Sequence, residues 1–373
     1  MLFHEVKRRA DAPFANGHSG IFLYLFITLC FGLTFVPASV DAATNVSGSI
    51  TVNTTWSKAN SPYIVSGNLT VNSGATLTIQ PGVDVKFDGD YYFNVKGSLN
   101  AQGTSAERIR FTSNKATPAP DDWDGLFLGG PGNSLKYITI EYSNYAAFLS
   151  FADVTFDQSL IQYTWQGIYI GNNSRLVFSN SEIRNNTGSG ITLSDSSVAA
   201  QITNNLITNN GGGVAVRYST SSTAPAAIIN NNRIYGNIDY NLWQSGPEYR
   251  KVANAGSNWW GSADPAVVMQ GIKGSSITRA EINPILDGPN GNPITSFQIL
   301  FGGYDSSLLL DNPQKSYYIF GYMKIGPAAT LRVLPGVKIY FADGSNLDVF
   351  GSVDMQGTPD KRIELLPAGA IKA

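Results

Sequence analysis

Short apolar–polar–apolar segments recur along the middle of the chain, separated by turns rich in Gly and Asn. Each of four successive stretches begins with a large apolar residue and has an isoleucine five positions later; with one upstream match, these isoleucines are Ile140, Ile161, Ile183, Ile207 and Ile234. They lie 21, 22, 24 and 27 residues apart. A repeat in the low twenties, built from short strands and polar turns, indicates a solenoid.

The alternation within each repeat predicts β-strands. In segments such as Ile168-Tyr169-Ile170 and Ile191-Thr192-Leu193, the outer two side chains face one way and the middle one faces the other. Strands that run in the same direction, one per coil, must pair in parallel with the coils above and below. We therefore predict an all-β chain, a right-handed parallel β-helix whose isoleucine column lies inside.

Asparagine recurs at the turns of these repeats. Asn180, Asn204 and Asn231 each stand two positions after the leading apolar residue. Stacked Asn side chains can bond to one another along the axis and tolerate tight turns. The spacing predicts that these three residues face inward as a ladder.

The opening coils of the solenoid are repeated near the end of the chain. Residues 317–363 align with residues 63–109 at a constant offset of 254 and without a gap. We therefore divide the chain into a β-helix over 43–287, a Gly- and Pro-containing linker over 288–295, and an incomplete second module over 296–373. The segment Asn258-Trp259-Trp260-Gly261 is expected to cover the last open coil of the first module.

The second module contains opening coils and nothing that would stack on them. At the offset of 254, Ala373 corresponds to Ala119, just before the repeating coils begin. An uncapped solenoid end has unpaired strand edges. We therefore expect the chain to be a fragment, its reading frame or a neighbouring one supplying the remaining coils; alternatively, the second piece docks back on the first module.

Residues 1–42 have the features of a signal peptide. Lys7, Arg8 and Arg9 precede an apolar run over 21–36, and small residues near Ala42 offer a cleavage site. The run is slightly short for the alternative, an uncleaved membrane anchor. We expect a secreted or cell-surface protein, with the periplasm as an alternative, and no membrane span once the signal is removed.

Composition limits the chemistry of the mature chain. The whole sequence has 25 basic and 27 acidic residues, and this near balance gives no electrostatic case for binding nucleic acid. Cys30, His4 and His18 all precede the cleavage site. Thiolate or imidazole metal sites and histidine-based triads are therefore excluded from the mature protein, and we predict no metal and no cofactor.

These features resemble the right-handed parallel β-helix proteins of bacteria, the broad pectate-lyase-like superfamily. The resemblance rests on the coil length, the Asn positions, a Trp123-x-Gly125 motif and the Asn258–Gly261 motif, and it covers roughly residues 46–287. It implies the fold. It does not select a function, because this fold is shared by lyases, hydrolases, maturation factors of copper enzymes and surface proteins.

The residues that follow the column isoleucines are the weak candidates for catalysis. Glu141 and Arg184 fall two coils apart, roughly 10 Å. A lyase needs a base beside a uronate carboxylate, and a hydrolase needs carboxylates that face each other. An ordinary polar face explains the pair at least as well. We likewise interpret Asp121, Asp122 and Asp124 as a solvated turn.

Aromatic residues are the candidates for binding. Tyr169, Trp165 and Tyr235 lie in or beside the repeats, and exposed rings on a rigid surface can stack against sugars. Our leading hypothesis is an exported, non-catalytic β-helix protein, a surface, adhesive or glycan-contacting module. Its partner would be a polysaccharide or cell-surface glycan. The alternative is a polysaccharide lyase or glycoside hydrolase acting on an extracellular polysaccharide.

Overall fold

The computed structural model describes residues 43–194, 198–217, 227–246, 251–274 and 278–369. The predicted signal peptide, including Cys30 and both histidines, lies outside these residues. Within them, the regular secondary structure is almost entirely short β-strands, which are joined by turns and recur in every coil.

The strands of the longest stack are bounded as follows in chain order. They are β1 (Thr44–Ile50), β2 (Thr54–Trp56), β3 (Tyr63–Val71), β4 (Thr76–Ile79), β5 (Asp84–Phe87), β6 (Tyr92–Val95), β7 (Ser98–Gln102), β8 (Ile109–Ser113), β9 (Trp123–Leu128), β10 (Asn133–Lys136), β11 (Ile138–Glu141), β12 (Ser143–Ser150), β13 (Asp153–Asp157), β14 (Leu160–Gln162), β15 (Gln166–Gly171), β16 (Arg175–Ser179), β17 (Glu182–Arg184), β18 (Ser189–Leu193), β19 (Ala199–Thr203), β20 (Leu206–Thr208), β21 (Gly212–Arg217), β22 (Ala227–Asn230), β23 (Arg233–Tyr235), β24 (Tyr240–Ser245), β25 (Lys251–Asn254), β26 (Ile272–Gly274) and β27 (Arg279–Glu281).

The remaining strands continue the coiling. They are β28 (Phe297–Tyr304), β29 (Leu308–Leu310), β30 (Ser316–Ile325), β31 (Thr330–Val333), β32 (Lys338–Phe341), β33 (Asn346–Val349), β34 (Ser352–Met355) and β35 (Glu364–Pro367). A single-turn 3-10 segment spans Lys58–Asn60. Helix α1 spans Pro265–Gln270, and its first turn is capped by the Asp264 carboxylate, which accepts a hydrogen bond from the Ala266 N–H. Nowhere in the described part of the chain is a helix both long and apolar enough to span a membrane.

Successive coils pair in parallel along three rows. The first row runs from β3 through β5, β8, β11, β14, β17 and β20 to β23, and the second from β3 through β6, β9, β12, β15, β18, β21 and β24 to β26. Because β1 and β3 contribute to both rows, the two form one 17-stranded sheet. The third row, from β2 to β27, is a separate 10-stranded sheet. The predicted parallel β-solenoid is confirmed.

The isoleucine column lies inside the solenoid, as predicted. Ile140, Ile161, Ile183, Ile207 and Ile234 pair in register in the first row. All five are fully buried. They belong to a continuous apolar core that runs along the axis and is lined by the inward residues of all three rows.

The predicted asparagine column is wrong by one position. Asn180, Asn204 and Asn231 are exposed, and their φ angles of 50°, 60° and 59° place them in the left-handed region. Asn adopts this backbone conformation more readily than most residues. These residues make the turn, and the residue after each one faces inward.

The ladder is therefore formed by the next residue along the chain. The Ser181 N–H donates to Asn205 Oδ1 at 2.9 Å, the Asn205 N–H to Asn232 Oδ1 at 2.9 Å, and the Asn232 N–H to Asn258 Oδ1 at 2.8 Å. All four side chains are buried. A second ladder runs through Thr164, Asn186, Asn210 and Asn237. The ladders satisfy turn amides that would otherwise be buried without partners.

The Asn258–Gly261 segment does not close the stack, contrary to expectation. Asn258 is a rung of the ladder and Trp260 is buried, but β26 and β27 pair beyond them. Asn283 then exchanges hydrogen bonds with the backbone of Ile299, at the start of the next coil. A second apolar cluster follows within β28–β32. The division into two modules stays a prediction.

The connections between the second and third rows vary in length. Three residues separate β15 from β16, whereas nine separate β21 from β22. The register of the strands on either side is kept, since β15, β18 and β21 pair in sequence, as do β16, β19 and β22.

The core column gives the first prediction. Replacing Ile183 by Ala should lower the free energy of unfolding by about 2–5 kcal/mol, because it leaves a cavity in a closely packed column. Ile228→Ala is the matched control, since Ile228 is only partly buried on the outer side of β22, and its cost should be clearly smaller. Urea denaturation measures the free energy of unfolding of both variants. Equal losses of stability would contradict the assignment of Ile183 to the core and of Ile228 to the outer face.

The asparagine ladder gives the second. Asn205→Leu should destabilise the fold by about 1–3 kcal/mol for each buried group left unpaired, the Ser181 N–H among them. Asn204→Gly should be nearly neutral, because glycine readily adopts the left-handed conformation of this exposed turn residue. Thermal unfolding compares the two variants. A larger drop in melting temperature for Asn204→Gly than for Asn205→Leu would show that the ladder has been assigned to the wrong residues.

Candidate functional site

A column of aromatic side chains lies on the outer face of the second row. Three rings, Phe127, Phe148 and Tyr169, occupy one register position in consecutive coils, on β9, β12 and β15, and Asn94 of β6 precedes them at the same position. Their neighbours along each strand point inward and are buried, so strand alternation turns these side chains outward. All four are half-buried, which leaves part of each accessible to a ligand.

These rings contact one another along the axis. The centroids of Phe127 and Phe148 are 5.6 Å apart, and those of Phe148 and Tyr169 are 5.1 Å apart with nearly parallel planes. Tyr92 meets Phe127 edge-on at 6.2 Å, and Tyr145 meets Phe148 edge-on at 5.7 Å. We call these five residues the aromatic ladder.

The ladder ends at Tyr169. The next positions in register are Thr192 and Ala215, both small and buried. The position after them is Trp243, whose ring lies 4.0 Å from the guanidinium of Arg217 in a cation–π contact. The ladder is thus a bounded feature of four coils.

A surface cavity of about 350 Å³ lies beside the ladder. Its lining combines aromatic and apolar groups with a few polar ones: Tyr92, Asn94, Asp124, Phe127, Leu128, Gly129, Phe148 and Ser150. A largely apolar cleft with a few polar groups is the usual form of a small-molecule or sugar site. The ladder and this cavity together are the candidate site, which we call the aromatic groove.

Asp124 is the carboxylate among the residues that line the groove. Burial raises the pKa of its carboxyl group, and the negative charges of Asp90 and Asp121 raise it further. Among the described residues, no lysine or arginine forms an ion pair with any of these three carboxylates. Asp122 behaves differently, because it is buried and accepts hydrogen bonds from Lys115 Nζ at 2.7 Å and the Ala119 N–H at 2.9 Å.

The two weak catalytic candidates lie on the first row, outside the groove. Glu141 is buried, and its carboxylate is bonded to Arg110 at 2.6–2.7 Å, to the Thr112 hydroxyl and to the Gln162 amide. Arg184 pairs with Glu182 at 3.3 Å. In register, Gln162 stands between Glu141 and Arg184, so the structure does not bring the two together.

The three aromatic candidates are dispersed. Tyr169 forms the end of the aromatic ladder, and its hydroxyl accepts a hydrogen bond from Ser194. Trp165 lies in the turn between β14 and β15 and is 53% exposed. Tyr235 lies at the end of β23 and lines a different cavity, shared with Asn237 and Trp260.

Phe127 and Phe148 were not singled out by sequence, and Asp124 was interpreted only as part of a solvated turn, although Asp122 is buried and Asp124 is half-buried. The signal for the rings was present, because Leu126-Phe127-Leu128 and Ala147-Phe148-Leu149 have the same pattern as the Tyr169 triplet, and the three rings are spaced 21 residues apart. In contrast, no periodicity connects Asp90 with Asp124. As for metals, the described residues contain no group of three or more Asp, Glu, His or Cys that could hold an ion.

Comparison with known families identifies the fold. A family model described as a right handed beta helix region matches residues 98–254, and one described as a pectate-lyase like beta helix domain matches residues 48–141. The protein is a parallel β-solenoid whose sequence is similar to right-handed, pectate-lyase-like β-helix domains. These matches confirm the resemblance drawn from the coil pattern, and the first of them covers the whole aromatic ladder except Tyr92.

The other comparisons give no further information on the function of this β-helix protein. No curated protein matches it. Among solved structures, the Dettilon tailspike protein matches with 12% identity over 82% of this chain and 62% of its own, with a TM-score of 0.19. The β-helix protein therefore spans less than two thirds of that chain, and the score is too low to support a functional comparison.

The electrostatics of the groove give a prediction. Asp90→Asn should lower the pKa of Asp124, because removing a nearby negative charge makes its ionisation easier. Carbon-detected NMR titration of the Asp124 carboxyl would measure the shift. Asp311→Asn is the charge-matched control, located between β29 and β30, and should leave the titration unchanged. If Asp90→Asn also left the pKa of Asp124 unchanged, the two carboxylates would not interact, and the prediction would be wrong.

Proposed function

We propose that this β-helix is an exported, non-catalytic surface or adhesive protein that binds a polysaccharide or cell-surface glycan in the aromatic groove. The observation that carries the proposal is the row of half-buried rings across four coils, bordering a cavity with polar side chains. Export rests on the signal-like residues 1–42, which lie outside the described part of the chain.

The rings suit the apolar faces of sugars. A pyranose presents C–H groups on one face and hydroxyl groups around its edge, so an aromatic surface can stack on the face while polar groups bond to the edge. Asn94, Ser150, Asp124 and the Tyr92 hydroxyl supply such polar groups beside Phe127 and Phe148. A linear row of rings also fits a linear, repeating ligand.

Rigidity favours this use of the surface. Every ring of the ladder lies on or at the end of a strand paired on both sides, and their spacing is fixed by the coil repeat. A preformed site loses little conformational entropy on binding. The rings also stabilise one another, since cross-strand aromatic pairs contribute roughly 0.2–1 kcal/mol each, so structural and binding roles are compatible.

Glycoside hydrolysis is the second candidate, favoured by one observation. Asp124 is a carboxyl group of raised pKa in the groove, with Asp90 and Asp121 close enough to influence it. Most glycosidases use two carboxyl groups, one of which has a raised pKa and acts as the general acid. Release of reducing ends from a polysaccharide, abolished by Asp124→Asn, would establish this activity; a lyase would instead release unsaturated ends.

Loss of a central ring tests the binding proposal. Phe148→Ala should weaken glycan affinity roughly two- to tenfold, because it removes one stacking surface from the middle of the ladder. The measurement is affinity electrophoresis followed by calorimetry with the polysaccharides that retard the wild-type protein. Circular dichroism and the melting temperature check that the variant is folded.

Trp165→Ala is the comparison variant, since it removes an exposed ring outside the groove lining. It should leave the affinity unchanged. Binding that depended on Trp165 and not on Phe148 would place the glycan elsewhere, and a folded wild-type protein that bound none of a broad panel would overturn the proposal.

A further inference from the structure

The charge in the lining of the aromatic groove is negative. Of the residues that line its cavity, Asp124 is the one with a carboxylate, and none is a lysine or arginine. Asp90 and Asp121, both exposed, add negative charge close to Asp124. A ligand that enters the groove therefore meets an excess of carboxylates.

Several acidic residues elsewhere on the stack have a cationic partner. Glu141 is paired with Arg110, Asp122 with Lys115, and Asp157 with Lys136 at 2.6–3.1 Å. The three carboxylates at the groove have no such partner among the described residues. The difference is informative, because a half-buried carboxylate without a cation is costly and becomes costlier when a ligand covers it.

The charge decides which sugars can occupy the groove. A uronic acid polymer would place its carboxylates against those of Asp124, Asp90 and Asp121, and like charges in a partly desolvated cleft repel. A neutral glycan would cover Asp124 without compensating its charge. A sugar with an ammonium group would stack on the rings and form a charge-assisted hydrogen bond with the carboxylate.

We infer that the aromatic groove is selective for glycans that carry free amino groups, with Asp124 as the residue that recognises the ammonium. This inference rests on the proposed glycan binding and names its ligand class. Phe127 and Phe148 would hold the sugar faces, and Asp90 and Asp121 would add long-range attraction.

The test compares three oligosaccharides of equal length: a β-1,4-linked glucosamine oligomer, its fully N-acetylated counterpart, and a galacturonate oligomer. The first two share a backbone and differ in charge, so their affinity ratio isolates the amino group. Measured by calorimetry at low ionic strength, the glucosamine oligomer should bind about two- to fivefold more tightly than the acetylated one. The galacturonate oligomer should bind least, and the ratio should shrink as salt is added.

Asp124→Asn tests the assigned residue. The change is isosteric, and the amide should leave the stacking surface in place. The ratio between the amino and acetylated oligomers should fall towards one, with the affinity for the acetylated oligomer kept. Asp311→Asn, which makes the same change in net charge between β29 and β30, should preserve the wild-type ratio; melting temperatures confirm that both variants fold.

The outcomes separate this inference from the proposed function. Equal affinity for amino and acetylated oligomers, preference for galacturonate, or a ratio unchanged by Asp124→Asn would overturn the selectivity, while binding that still depended on Phe148 would preserve the glycan-binding proposal. Absence of binding by every oligomer and polysaccharide would overturn both.

Discussion

Parallel backbone pairing between successive coils is the constraint on which the rest of the molecule depends. Each strand bonds to its equivalents one coil above and one coil below, which fixes a spacing of about 4.8 Å between equivalent residues. Every side chain therefore lies directly against its counterpart in the neighbouring coils. The isoleucine column, the asparagine ladders and the aromatic ladder are three results of this single geometry, on the inside, at the corners and on the outside.

The corners show how a short sequence unit meets two demands at once. The chain must turn sharply, and the amides it exposes by turning must find partners away from water. In Asn204-Asn205 and Asn231-Asn232 the first Asn adopts the left-handed turn and the second bonds to the coil beside it. Adjacent residues of one type thus perform different tasks, distinguished by which side of the backbone they occupy.

The extent of successful prediction follows from the same geometry. Coil period and alternation were sufficient to place the isoleucine column, because a one-residue error would expose every member. The asparagine column was misplaced because polar residues at a turn are compatible with either side. Tyr169 was recognised as outward-facing, but the proximity of Asp90 and Asp124 was not, since it depends on the Pro-containing segment before β9 and on no repeat. The continuation of the stack past Trp260 was missed because an aromatic cluster also suits a cap.

The unequal connections between the second and third rows have a consequence for how such a protein can change. Three residues join β15 to β16 and nine join β21 to β22, yet the strands on both sides keep their pairing. Doubling the length of a loop adds only about 0.6 kcal/mol of closure entropy. This corner can therefore accept insertions while the scaffold stays constant. It borders the strands that carry the aromatic ladder. Insertions at this corner, whether they arise in evolution or by design, could therefore change the edge of the groove in one coil without altering the others.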